Sequence, residues 1–276
     1  MEVGQQSKSI GFIVQARMQS ERLPGKVMLP LPFPDGKPIL SHIVEALKQS
    51  TGTIIVATSD KKENNLIEDF CTENNITCYR GSETDVLSRF AEIQLIYNFD
   101  HIIRFTADNP IIDRLFLNKT LTFHIEEQND YTYSTGLPLG MNFEIIKGTA
   151  LLDSINYTVS ESDKEHVTSA IRRESFFKKG NYNTKLNLEH VRLTVDTPSD
   201  LLVAGTILRL GECLNLSDSN LINKIATDYS WLLNANKHIF QKNNNLDKHT
   251  ELKNALNLLN ELEYYHVASI IKKETL

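Results

Sequence analysis

Short apolar runs alternate with helix-patterned segments over the first two hundred residues, and few architectures accommodate that rhythm. Residues 10–16 (IGFIVQA) read as a strand buried on both faces, because the apolar run is continuous rather than alternating. Residues 38–49 place Ile39, Leu40, Ile43, Val44 and Leu47 at helical spacing. Residues 53–58 (TIIVAT) form the next strand, 61–74 a helix with Leu66, Ile67 and Phe70 on one face, 76–79 a short strand, 84–97 a helix and 101–106 a strand. Strand and helix in strict alternation predict an α/β fold, with a mostly parallel sheet flanked by helices.

The rhythm loosens after residue 130. Residues 131–134, 141–146 and 188–195 read as strands; 147–155, 162–173 and 198–209 read as helices. The stretch 130–190 reads as a small insertion lobe over the sheet's carboxyl edge, where open α/β sheets bind ligands. Residues 218–234 are helix-patterned, 242–248 (KNNNLDK) are linker-like, and 251–273 carry Leu252, Leu256, Leu259, Leu262, Val267 and Ile270 at helical spacing. The expected organisation is a main domain over 1–235 and a helical C-terminal extension over 236–276. A chain of 276 residues suits that division.

Charge makes one stretch conspicuous. The net charge is −6, which argues against a general nucleic-acid binder, yet "QARMQSERLPGK" (15–26) sets Arg17, Arg22 and Lys26 just after the first strand. Such a loop suits a polyphosphate: Arg17 can grip two oxygens, Ser20 can donate, and Lys26 is a compact charge. Alone it reads equally well as a solvated basic loop. Neither the Walker pattern nor the dinucleotide glycine fingerprint is present. No segment approaches the ~20 apolar residues of a membrane span. The first apolar run is short and has no cleavage site, so no signal peptide is expected. Cys71, Cys78 and Cys213 lack metal-ligand spacing and read as thiols of a reducing cytoplasm.

Further segments carry chemistry. "IIRFTADNPIID" (102–113) leads a strand into Asp108, with Arg104 on the same face; Asp113 reads as the cap of the next helix. "VRLTVDTPSDL" (191–201) delivers Asp196, and Asp200 reads as first-turn helix charge. Two carboxylates at two strand ends make a hard oxygen pair suited to Mg²⁺. In "RGSETDVLSRF" (80–90), Ser82 and Asp85 read as a helix start, and Arg80 stands at a strand end. Glu144 interrupts an apolar strand, and His166 lies beside Glu165 in a helical segment.

Taken together, "IVQARMQSERLPGKVM", "GSETDVLSRF", "IIRFTADNPIID", "DKEHVTSAIRR" and "VRLTVDTPSDL" resemble, in order and spacing, the cytidylyltransferase family. That family includes the spore coat polysaccharide protein F type and the CMP-ketodeoxyoctonate and acylneuraminate cytidylyltransferases. The resemblance covers roughly 10–210. It implies a nucleotide-diphospho-sugar transferase (Rossmann-like) fold and transfer of CMP from CTP to an acidic, nonulosonic-type sugar for surface glycan. Rival readings are transfer to a sugar 1-phosphate from another NTP, a glycosyltransferase, or a non-catalytic member. By matching positions, it implies Arg17, Lys26 and Asp108 as the catalytic set, and Val14, Ala16, Arg17, Ser20, Lys26, Arg80 and Asp108 at the nucleotide. Arg104, Glu144 and His166 fall at the sugar, and Asp108 and Asp196 at Mg²⁺. A homodimer is expected, with no nucleic-acid or membrane partner. Gln19, Glu21 and Asn109 depart from the family's usual residues.

Overall fold

A computed structural model describes residues 8–239 and 247–275. The chain divides into two compact units, Met1–Asn234 and Ala235–Leu276.

In the first unit, strand β1 (Ile10–Gln15) is central. It pairs in parallel with β4 (Thr53–Ser59) and β6 (His101–Thr106), and β4 pairs in parallel with β5 (Thr77–Gly81). Two further strands join beyond β6: β7 (Tyr131–Thr135) and β8 (Glu144–Lys147), with β9 (Lys179–Asn183) at the edge. The order is β5-β4-β1-β6-β8-β7-β9, and β8 alone runs antiparallel to its neighbours. Strands β2 (Pro30–Leu31) and β3 (Lys37–Pro38) form a separate small hairpin.

Alternation along β1 divides the core. Phe12 and Val14 face one layer with α1 (Ile39–Leu47), α2 (Asn65–Glu73), α4 (Arg114–Glu126) and α8 (Pro198–Leu214); Ile13 faces the other with α3 (Val86–Tyr97) and α5 (Gly148–Ser154). All three side chains are buried, each contributing ~1.5–3 kcal/mol of apolar burial. The chain leaves β1 toward β4 and β5 on one side and returns through β6 on the other. The carboxyl end of β1 is therefore the switch point of the sheet, where a crevice opens.

The region after residue 130 gives its strands to the sheet itself rather than forming a lobe over it. At the carboxyl edge α6 (Glu161–His166) brings Glu165 to 3.9 Å from Arg17. The helix expected over 162–173 is two helices, α6 and α7 (Ser169–Arg173), broken at Val167 with φ 59°. There Thr168 N–H donates to the His166 carbonyl across 2.5 Å, a tight γ-type turn that a β-branched residue rarely adopts.

The strand expected over 188–195 is not a sheet strand. It runs extended between loops: Leu139 N–H donates to Val191 O, Leu193 N–H to Leu139 O and Val195 N–H to Asp108 O, each across 2.8 Å. Close approach at Gly140 (φ 99°) permits this, since a Cβ there would lie 2.6 Å from Thr194 N. Strand β9 (KGNYN) escaped sequence reading because its polar residues carry no apolar alternation.

Helices α9 (Asp218–Asp228) and α10 (Ser230–Asn234) complete the first unit. In the second, the segment expected as one helical tail is two helices, α11 (Lys248–Glu261) and α12 (Tyr265–Thr275), separated where Glu263 takes φ 63°. Asp247 caps α11 by accepting from His249 and Thr250 N–H. The expected linker at 242–248 lies outside the described residues up to 246.

Candidate active site

The basic loop leaves β1 at the switch point and is held from beneath. Ala16 N–H donates to Ala57 O across 3.1 Å, and Met18 N–H to Asn64 Oδ1 across 2.8 Å. Buried Asn64 donates to Ser59 Oγ across 2.5 Å, and Ser59 donates to Glu83. Gly25, at φ 70°, turns the chain back and donates to Met18 O across 2.8 Å. This fixes the backbone from which Lys26 projects.

Lys26 is the centre of the arrangement. Its Nζ lies 2.8 Å from Asp108 Oδ2 and 2.8 Å from Asp196 Oδ1, with its side chain 10% exposed. Asp196 also meets Arg22 at 2.9 Å and Arg192 at 2.6 Å, both through Oδ2. Burial alone would raise the Asp196 carboxyl. The Lys26, Arg192 and Arg22 charges outweigh it and hold the group below the usual carboxylate range.

Asp200 anchors this cluster. It is 1% exposed and accepts from Arg192 Nε and from the N–H groups of Asp196 and Thr197, each across 3.0 Å. Thr197 and Asp200 also form a reciprocal capping box that starts α8. The expectation of simple first-turn charge understated Asp200. Arg192 was not anticipated at all. Burial alone would lower its guanidinium, but Asp200 and Asp196 hold it above its ordinary value.

A second cluster lies along the same edge. Glu144 accepts from Arg104 across 2.6 Å, Tyr131 across 2.5 Å and Thr168 across 2.9 Å; Arg104 also donates to Gln15 across 3.1 Å. Burial would raise Glu144, yet Arg104 and the two hydroxyl donors keep its carboxyl low. Burial and Glu144 push the Tyr131 phenol up. The γ-type turn at Val167 presents Thr168 to Glu144. Neither Tyr131 nor Thr168 stood out in the sequence, because a buried phenol or threonine has no spacing signature.

The remaining expected residues divide. Arg17 is half-exposed at the crevice, 3.9 Å from Glu83. Ser20 is half-buried in the same loop, and His166 is exposed at the end of α6. The side chains of Val14 and Ala16 lie in the core, buried by sheet and helices, while their backbone stands at the carboxyl end of β1 where the basic loop begins. Arg80 was expected at the nucleotide. Its guanidinium donates to Ser59 O at the end of β4, to Lys61 O in the loop that follows, and to Asn65 and Glu68 of α2. The structural role follows from β5 lying beside β4 in register, Arg80 opposite Thr58.

Among the described residues no cluster of three or more His, Cys, Asp or Glu side chains could hold a metal unaided. Asp108 and Asp196 nevertheless turn two hard oxygens onto one cationic atom. Mg²⁺ is commonly bound by one or two carboxylates completed by substrate phosphates and water, so this donor pair fits it.

The cytidylyltransferase family model matches residues 11–203. The chain belongs to the cytidylyltransferase family. It is 33% identical over 222 residues to the spore coat polysaccharide biosynthesis protein SpsF of Bacillus subtilis, covering 76% of this chain and 91% of that protein. It is 32% identical over 105 residues to the 3-deoxy-manno-octulosonate cytidylyltransferase of Alteromonas mediterranea, covering 38% and 41%. The solved structure of a cytidylyltransferase from Leptospira borgpetersenii superposes with TM-score 0.76 at 27% identity, covering 82% of this chain and 98% of that one. In this cytidylyltransferase the matched segment contains β1 from Gly11 on, Lys26, Asp108, Asp196 and Asp200, the parts that build the first cluster.

Proposed function

We propose that this cytidylyltransferase transfers CMP from CTP to a sugar acceptor of acidic, nonulosonic type, releasing pyrophosphate, in the making of a surface polysaccharide. The observation that carries the reading is the meeting of Lys26, Asp108 and Asp196 at the switch point. The names of the Bacillus and Alteromonas relatives support the polysaccharide setting and the acidic sugar.

In the proposed reaction an acceptor oxygen bonds to the α-phosphorus and gives its proton to water. The bond from the α-phosphorus to the bridging oxygen breaks, and pyrophosphate leaves. Arg17, Ser20 and Lys26 bind the triphosphate from the β1 loop. Arg17 and Lys26 neutralise charge gathering on the leaving group, and most of the rate comes from such positioning and charge. Asp108 and Asp196 would hold Mg²⁺, which when bound supplies positive charge to the phosphate oxygens. Arg104, Glu144 and His166 border the acceptor. No protein nucleophile is needed.

The reaction belongs in the cytoplasm, a setting supported by free thiols at Cys71, Cys78 and Cys213. A homodimer fits the exposed apolar residues Ile155, Tyr157, Val159 and Phe176. Pyrophosphate release with each NTP, Mg²⁺ and a panel of sugar acids and sugar 1-phosphates tests the reading. CTP with a sugar acid is the expected pair. Release with only a sugar 1-phosphate would transfer the assignment to that acceptor class, and no release with any pair would overturn it.

A further inference from the structure

Lys26 is wanted in two places. The proposed reaction needs its ammonium at the triphosphate, whereas the structure holds it between Asp108 Oδ2 and Asp196 Oδ1, 2.8 Å from each. We propose that Lys26 is an exchangeable counter-ion: it neutralises the carboxylate pair until a metal-loaded nucleotide binds, then gives up that place and moves to phosphate. The inference rests on reading Asp108 and Asp196 as the metal carboxylates.

The cations around Asp196 are not equivalent. Arg192 is 5% exposed and is fixed by Asp200, whose carboxylate it meets at 3.0 Å and 3.2 Å. Arg22 and Arg192 both address Asp196 Oδ2. Lys26 takes Oδ1 and also reaches Asp108, so it occupies the space the two carboxylates share. A lysine suits an exchangeable place. Its charge is compact, its stem is flexible, and rotation of the side chain frees it without moving the backbone. Gly25 N–H on Met18 O keeps that backbone in place meanwhile.

Energetics make the exchange conditional. Two partly buried carboxylates facing one another without a cation repel. If a bare divalent ion competes for their oxygens, the Lys26 ammonium is left partly buried and unpaired, which is costly. With a triphosphate present the ammonium gains phosphate oxygens instead. The wild-type protein therefore binds a divalent ion weakly by itself, and nucleotide and ion strengthen each other's binding.

Mn²⁺ binding to the full chain, read by electron paramagnetic resonance without nucleotide, tests this. Lys26→Met is expected to bind Mn²⁺ at least tenfold more tightly than wild type. Its thermal midpoint should fall in metal-free buffer and recover on adding Mn²⁺. Lys26→Arg, which keeps a cation between the carboxylates, should bind Mn²⁺ as weakly as wild type and guards against a folding artefact. Adding Asp108→Asn to Lys26→Met should remove the tight site. Equal Mn²⁺ affinity in wild type and Lys26→Met overturns the exchange. If in that case Asp108→Asn still loses turnover, the carboxylate reading survives alone. If Asp108→Asn alters neither turnover nor Mn²⁺ binding, that reading falls as well.

Discussion

Arg192 Nη2 lies 2.6 Å from Asp196 Oδ2, joining residues four apart in a segment that is not helical. The contact exists because 191–195 is extended and the chain turns sharply into α8 just beyond Asp196. Asp200 closes the turn, taking the Asp196 and Thr197 N–H groups and Arg192 Nε together. Asp196 is thus aimed by a buried ion pair rather than by a sheet ladder. That is a stiff mounting, since removing either Arg192 or Asp200 breaks a buried ion pair and loosens the turn.

Asp200→Ala should cost about 3 kcal/mol of stability, because it leaves the buried Arg192 short of a partner and frees the start of α8. Urea unfolding measures it. Turnover should also fall, and it should stay low at temperatures where the variant is fully folded. A variant that unfolds within 0.5 kcal/mol of wild type would remove Asp200 from this role, that figure being roughly the scatter of a neutral surface change.

Asp108→Asn should lower the rate of pyrophosphate release by at least ~10²-fold, the order expected when a charge-stabilising group at the reacting phosphate is lost. Folding should be little changed, because the side chain is partly exposed and its ion-pair partner Lys26 retains Asp196. Near-normal release would take Asp108 out of the site.

The parts of this protein legible in its sequence are those with a period. Residues 10–16, 53–58 and 101–106 read as strands of a parallel sheet, where the structure has Ile10–Gln15, Thr53–Ser59 and His101–Thr106, and the basic loop and Asp108 could be placed from them. Asp113 was readable as a cap because its S/T/D/N position preceded a helical run, and its carboxylate does accept from Phe116 N–H across 3.0 Å. Interactions across sequence distance were not readable. Arg80 looked like a site residue because it ends a strand, yet its partners are Asn65 and Glu68 on the neighbouring connection. Tyr131 and Thr168 meet at Glu144 only after β7, β8 and the Val167 turn are assembled. Residues 188–195 had strand composition, but their backbone partners include Leu139 and Asp108, which lie in loops rather than in a sheet strand.

Glu144 sets an acid limit. Its folded pKa lies below the 4.5 of the unfolded group, so folding favours the ionised form. That stabilisation is complete above 4.5 and is lost as pH falls through the folded value. Glu144→Gln should cost about 2 kcal/mol near pH 7, typical of losing a hydrogen bond to a charged group, and the deficit should shrink toward acid. Unfolding free energies of both proteins between pH 3 and 7 test this; a deficit constant with pH would contradict it.

A second acid effect starts at higher pH. His124 Nε2 is 3.1 Å from His101 Nδ1, and His124 Nδ1 is 2.9 Å from Thr132 Oγ1, all in the interior. Burial, aided by the Lys8 and Lys147 charges, pushes His101 down to about 4; burial and the neighbouring His101 push His124 down to about 3. Both folded values lie below the 6.5 of the unfolded imidazole, so the unfolded chain takes up the protons. Stability is therefore unaffected above 6.5 and declines as pH falls from there toward 4, at up to ~1.4 kcal/mol per pH unit for each histidine. His124→Gln should make that decline shallower between pH 6.5 and 5, a window in which Glu144 remains ionised in both states and does not contribute. Identical slopes for His124→Gln and wild type in this window would show that the pair does not titrate on unfolding.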